Sequence, residues 1–299
     1  MQTLPTHATS RKAAMARGGL EVIPSGKACG AEIRGVNLKN LSDTEVEAIE
    51  QALYDHLVVT FRDQPLGHAE LVAFGKKLGE LEAPGMSIIG KPYIDDFPDI
   101  LVISNIVENG QPQGNLGSGE AVWHTDMSYR ERPISYAILT AVELPPSGGN
   151  TYFANQYLAY ETLPEDMKRR LEGRMLIHDE TYNSAGQMRK GFKEVTDPRD
   201  APGARHPIFR THPVTGKRAL YLGRRTNAYI VGLPLDESER LLDELWAHAS
   251  RPEFTWSHEW QMGDVLVWDN RCLIHRRDAF DPATRRKLTR VQIKGDKPQ

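Results

Sequence analysis

Tyr136-Ala137-Ile138-Leu139-Thr140-Ala141-Val142-Glu143-Leu144 is an apolar, β-branched run, and Pro145-Pro146-Ser147-Gly148-Gly149 stops it before Thr151-Tyr152-Phe153 resumes the β pattern. Proline presets the turn and glycine supplies backbone conformations that other residues resist, so the stretch reads as strand, turn, strand. Pieces of the same texture lie on both sides: Ile100 to Ser104 before it, then Met175 to His178, Ile208 to Thr211 and Ala219 to Leu222. Phe254 to Trp256, Asp264 to Trp268 and Leu288 to Lys294 follow, and Pro213-Val214-Thr215-Gly216 is a further turn. Short strands at near-regular spacing predict a mainly β protein with flanking helices. They favour a double-stranded β-helix (jelly-roll) core over an open parallel sheet.

Toward the N-terminus the pattern is mixed. Leu20 to Ile23 and Ala31 to Leu38 read as short strands, and Leu57 to Arg62 as a buried one. A helix opens at Ser42, with Glu45 three residues on to complete a capping box and Val46, Ile49 and Leu53 on one face. A second helix spans His68 to Leu78. Near the other end, Asp236 and Glu239 predict a box for a helix whose buried stripe is Leu241, Leu242, Leu245 and Trp246. No repeat or linker divides the chain, so residues 20–299 read as a single domain. Residues 1–19 carry Arg11, Lys12 and Arg17 without an acid or a secretory apolar stretch, and read as a disordered tail.

Composition narrows the class. The chain has 299 residues, of which 39% are apolar and 26% charged, an ordinary globular balance. A net charge of −3 gives no reason to expect a nucleic-acid partner. The longest apolar runs fall far short of the roughly 20 residues a membrane helix needs. Two cysteines, Cys29 and Cys272, make neither a disulfide framework nor a thiolate zinc site, which fits a reducing, cytoplasmic setting.

Phosphate-loop, zincin and nucleophile-elbow signatures are absent, leaving histidine and carboxylate as the reactive chemistry. Two histidines and one carboxylate can build an open iron site. A His-x-Asp/Glu pair on a strand places both side chains on one face. With 10 histidines among 40 acids, roughly one such pair arises by chance, and the chain holds three: His68/Glu70, His124/Asp126 and His178/Glu180. The first sits on a predicted helix, where positions i and i+2 diverge. The other two stay open, with His124/Asp126 preferred for its setting in Val122-Trp123-His124-Thr125-Asp126. Far downstream, Gly263 to Arg271 runs from a turn through a buried strand to a polar tip, with His275 just beyond. Arg286, Leu288 and Arg290 then share a strand face. An inward arginine is costly unless a carboxylate meets it, so this face suggests an anion site.

Trp123-His124-Thr125-Asp126, Gly148-Gly149-Asn150-Thr151, Trp268-Asp269-Asn270-Arg271 with His275, and Arg286 followed by Arg290 together resemble the taurine dioxygenase family. These are iron(II)/2-oxoglutarate-dependent dioxygenases, and phenoxyacetate and alkylsulfate dioxygenases belong with them. The likeness runs from about Glu21 to the closing Gly295-Asp296-Lys297-Pro298.

The resemblance implies that His124, Asp126 and His275 ligate Fe(II), and that Arg286 and Thr151 hold the distal carboxylate of 2-oxoglutarate. It also implies that Arg290 holds the acidic group of the substrate, with O2 as oxidant and succinate and CO2 as products. His178 then takes a structural role. Two departures argue against taurine itself: Glu82-Ala83-Pro84-Gly85-Met86-Ser87 lacks the expected histidine and tyrosine, and Glu120 stands where asparagine is expected. Tyr182-Asn183-Ser184 and Met188-Arg189-Lys190-Gly191-Phe192 fall in a variable lid. The expected substrate is a small organic anion (sulfonate, sulfate ester or aryloxyalkanoate), and the expected assembly a homodimer or homotetramer. A cupin-like metal isomerase or lyase on a similar barrel would use the triad but give Arg286 and Thr151 no task, and a non-catalytic ligand-binding protein would keep the jelly roll without metal.

Overall fold

In the large sheet, Tyr136–Glu143 runs antiparallel between Val265–Asp269 and Lys287–Ile293, with Tyr136 opposite both Asp269 and Ile293. Outward from this centre, Val58–Phe61 flanks one side and Leu101–Ser104 the other. Glu21–Pro24 and Ala31–Arg34 extend the first edge. A second, four-stranded sheet has the order Ala121–His124, Leu273–Arg277, Thr151–Asn155, Thr255–His258. The computed structural model describes residues 14–15, 19–84, 90–119 and 121–299. Most of the predicted tail, Gly85-Met86-Ser87 and Glu120 therefore lie outside the described residues.

Period-two alternation gives each sheet two different faces. Ile138, Val265, Val267, Val291 and Ile293 pack on Ile49, Leu53, Leu71 and Phe74 of the helices Asp43–His56 and His68–Leu78. Leu139, Leu266, Trp268 and Leu288, on the other face, share a core with Phe153 and Leu273 of the small sheet. Ala154 and Ile274, their neighbours in sequence, turn the opposite way and pack with Leu241, Leu242 and Leu245. The inward face of the small sheet is thus the face of residues 151, 153, 273, 275 and 277. Each fully buried Leu, Ile or Phe in these layers contributes roughly 1.5–3 kcal/mol.

The capping box at Ser42 and Glu45 is present. The predicted box at Asp236 and Glu239 is not: the helix is Leu235–Ala249, with Pro234 in the cap position and no side-chain cap bond. Proline presets the backbone for entry, so the helix begins before Asp236 can act as its cap. Asp236 instead places its charge in the first turn, where the helix dipole favours an anion. Glu239 pairs with Arg225. The stripe Leu241, Leu242, Leu245 and Trp246 is buried as expected. The small elements Gln156–Glu161 and Glu165–Leu171 are helices that the sequence pattern does not reveal. Among the described residues, no helix is long and apolar enough to cross a membrane.

Candidate metal centre and its anion sites

Two strands and a turn bring three side chains to one point. His124 ends Ala121–His124 and lies directly opposite His275 of Leu273–Arg277, with ring centroids 4.1 Å apart. Asp126 is not on the strand, contrary to the alternation argument, but in the turn that follows. Its backbone is clamped there by Asn270, whose Oδ1 accepts from Asp126 N at 3.0 Å and whose Nδ2 donates to Asp126 O at 2.9 Å. Asp126 Oδ1 lies 3.5 Å from His124 Nε2, and Oδ2 lies 3.7 Å from His275 Nε2. One ligand atom from each of the three falls within 4.8 Å of the others, the single such group among the described residues.

The protonation states suit a cation. His124 Nδ1 is 2.7 Å from Val122 O; donating there leaves the Nε2 lone pair free for a metal. Burial, with His124 beside it, pushes His275 well below the ordinary imidazole range, so it is neutral. Burial alone would push the Asp126 carboxyl up, but Arg290 and the imidazoles outweigh it and hold the group well below the usual carboxylate range. Two imidazoles and a carboxylate are the donor set of non-haem iron(II) oxygenase sites.

The other predicted residues fall around this point. Arg290 lies beside it, donating from Nη1 to Asp126 Oδ2 at 2.6 Å. Arg286 is 2% exposed, and its Nη2 donates to Gly149 O at 3.0 Å. Its Nε has no partner among the described residues. Burial and the neighbouring Arg277 push it down to about 9, still a cation at neutral pH. Gly149, at φ +68°, makes this approach possible, because a Cβ there would sit 2.9 Å from Arg286 Nε. Thr151 lies opposite Arg277, and its Oγ1 accepts from Trp260 Nε1 at 3.0 Å. A cavity of about 280 Å³ lies between the 144–150 turn, Trp260 and Arg286.

His178, the competing candidate, stacks on Tyr221 and meets His206 edge-on, outside the metal-ligand group. His68 lies against Phe97, and Glu70 pairs with Lys39. Sequence reasoning misses three contributors. Asn270 enters it only as part of a motif. Arg277 and Arg224 have no local signal, since their neighbours at the site come from distant segments. Arg224 is 6% exposed and lies opposite His124 in an isolated bridge. It helps line a cavity of about 500 Å³ that opens from Asp126 and Arg290 toward Asn183, Gln187 and Arg189 of the predicted lid.

Comparison with known proteins places this geometry in context. Residues 21–292 match the family described as Taurine catabolism dioxygenase TauD, TfdA family. Pentalenolactone F synthase of Streptomyces avermitilis is 35% identical over 297 residues, covering 91% of this chain and 93% of that one. Alpha-ketoglutarate-dependent 2,4-dichlorophenoxyacetate dioxygenase of Burkholderia sp. is 34% identical over 265 residues, covering 85% and 87%. The crystal structure of a taurine dioxygenase from Burkholderia xenovorans superposes with a TM-score of 0.75 at 35% identity, covering 93% of this chain and 92% of that one.

Proposed function

We propose, from the premise that this chain belongs to the TauD, TfdA family of dioxygenases, that it oxidises a small organic anion at the His124, Asp126 and His275 cluster. It is a 2-oxoglutarate-dependent dioxygenase, an oxidoreductase. In this reading the three side chains hold Fe(II), a fit supported by the neutral His275, the low-lying Asp126 carboxylate and the free Nε2 of His124. Ferrous iron supplies the reaction of O2 that couples decarboxylation of 2-oxoglutarate, to succinate and CO2, with hydroxylation of the substrate.

The observation that carries the co-substrate assignment is the pairing of Arg286 with Arg277, two buried guanidiniums with no carboxylate partner among the described residues. A guanidinium does not release its proton in a protein, so this charge calls for an anion. Arg286, assisted by the Thr151 hydroxyl, would hold the distal carboxylate of 2-oxoglutarate. Arg290, whose remaining donors stay available after the bond to Asp126, would orient an acidic group of the substrate. The substrate class we infer is a sulfonate, sulfate ester or aryloxyalkanoate; the Burkholderia sp. relative is named for the aryloxyalkanoate 2,4-dichlorophenoxyacetate. Hydroxylation beside an ether or ester oxygen, or beside sulfur, gives a product that collapses with C–O or C–S cleavage.

We read the two facing sheets as the halves of a double-stranded β-helix, and residues 20–299 as one domain. A cytoplasmic location and a homodimer or homotetramer complete the proposal, with no nucleic-acid or membrane partner. The reading is tested by supplying Fe(II), 2-oxoglutarate and air with a panel of organic acids and measuring succinate. Succinate formed in step with one oxidised acid is expected. No succinate under any condition would refute the assignment.

A further inference from the structure

Five arginines are buried among the described residues: Arg210, Arg224, Arg271, Arg277 and Arg286. Burying a guanidinium is tolerable only where an anion meets it. Arg210 has Asp296 at 2.9 Å and Arg271 has Asp269 at 2.7 Å. Arg277 and Arg286 lie together where the proposed function seats the distal carboxylate of 2-oxoglutarate. Arg224 is the one left over.

Its surroundings are those of a site rather than of a packed core. Nη1 donates to Tyr182 O at 3.0 Å, and Nε has no partner among the described residues. Arg189 lies close enough to add its repulsion to the effect of burial on Arg224. The Arg189 guanidinium rests on the Tyr129 ring, 4.1 Å from its centroid, and its buried Nε is also unpartnered. The nearby acids are Asp126 and Asp179: Asp126 is bonded by Arg290, and Asp179 is taken up by the Thr181 amide and by Asn227 Nδ2. Gly223, at φ +68°, lets the chain pass His178 just before Arg224, since a Cβ there would meet the ring at 2.0 Å. Arg189 and Arg224 line the same 500 Å³ cavity as Arg290, whose own charge is met by Asp126. Glu180 also lines it and is the one other acid there.

We propose that Arg224 and Arg189 form a second anion clamp, and that the substrate carries two acidic groups: one beside Arg290, the other between Arg224 and Arg189. This inference rests on the proposed function, since it assigns the substrate of the same pocket. It names a chemical class, an elongated diacid whose second group is a carboxylate, sulfate or phosphate. A diacid would meet a guanidinium with each of its groups in the one cavity, which a monoacid cannot do. Arginine's planar fork suits each of these groups.

The test measures binding to protein loaded with Mn(II) and saturating 2-oxoglutarate, using α,ω-dicarboxylates from adipate to sebacate, each beside its monomethyl ester. Uptake of 2-oxoglutarate itself is recorded first; its failure would count against the proposed function, separately from the diacid. At least one dicarboxylate should bind about tenfold or more tighter than its monoester, a typical effect for a charge-assisted pair. Arg224→Met and Arg189→Met should each remove that preference. If no dicarboxylate outbinds its monoester in the wild-type protein, or if the preference survives Arg224→Met, the clamp is wrong.

Discussion

Arg290 Nη1 stands 2.6 Å from Asp126 Oδ2, joining a guanidinium on the large sheet to a carboxylate in the turn that completes the metal cluster. The strand Lys287–Ile293 carries Arg290, while the backbone clamp of Asn270 fixes Asp126. The strand that carries Arg290 and the turn that carries Asp126 are therefore held in register by a charge-assisted bond. That bond keeps Asp126 ionised and ready to ligate despite its burial.

Arg290→Ala is expected to raise the KM for the acidic substrate by about tenfold or more, while the KM for the keto-acid co-substrate stays within about twofold. Steady-state kinetics with each substrate varied in turn checks it. An unchanged KM for the acidic substrate would remove Arg290 as an anchor.

Arg286→Met is expected to show the converse split, with the KM for the keto-acid co-substrate raised by about tenfold or more. Because Arg286 is a buried cation without a carboxylate, its loss should not lower the melting temperature of the protein in the absence of 2-oxoglutarate. A large loss of stability would mean that the side chain serves packing instead.

Asn270→Ala leaves the buried Asp126 amide without its acceptor, which costs about 1–3 kcal/mol. The ring positions of His124 and His275 do not depend on that bond. Metal affinity, measured by Mn(II) titration, should fall while the fold persists. Wild-type affinity in a folded variant would show that the turn holds Asp126 by other means.

Much of this site is legible in sequence because strand periodicity is local. Leu288 and Arg290 share the inward face of one strand by alternation alone, as the sequence reading expects. His124/Asp126 is one of three pairs with the same spacing and stands out by its setting in Val122-Trp123-His124-Thr125-Asp126, although a turn, not strand alternation, delivers the carboxylate. What spacing does not show depends on distant segments. Arg224 reaches the cavity through a bridge to His124, 100 positions away, and Arg189 comes from an irregular segment without periodic pattern. The misplaced cap at Asp236 has a local cause, because Pro234 starts the helix without a side-chain cap bond.

Asp269 ends the strand Val265–Asp269, next to Asn270. It is 1% exposed, accepts from Arg271 Nε and Nη2, and lies 3.0 Å from His212 Nε2. Asp269→Ala should cost about 3–5 kcal/mol in denaturant unfolding, because it strands a buried guanidinium. Arg271 and His212 overcome the effect of burial and depress the carboxyl in the folded state. Its stabilisation is therefore complete above the unfolded value of about 3.9 and is lost as pH falls below it. The wild-type protein should lose stability between about pH 5 and pH 2 more steeply than the variant.

In the proposed function, His124, Asp126 and His275 hold Fe(II) and 2-oxoglutarate joins it there. An anaerobic titration of the metal-free protein with Fe(II) and 2-oxoglutarate, followed by visible absorption, tests this most directly. A keto acid chelated to ferrous iron gives a weak charge-transfer band. The band is expected only when both are present, and it should vanish in Asp126→Ala. Well-folded wild-type protein that gives no band with ample Fe(II) and 2-oxoglutarate would contradict the assignment.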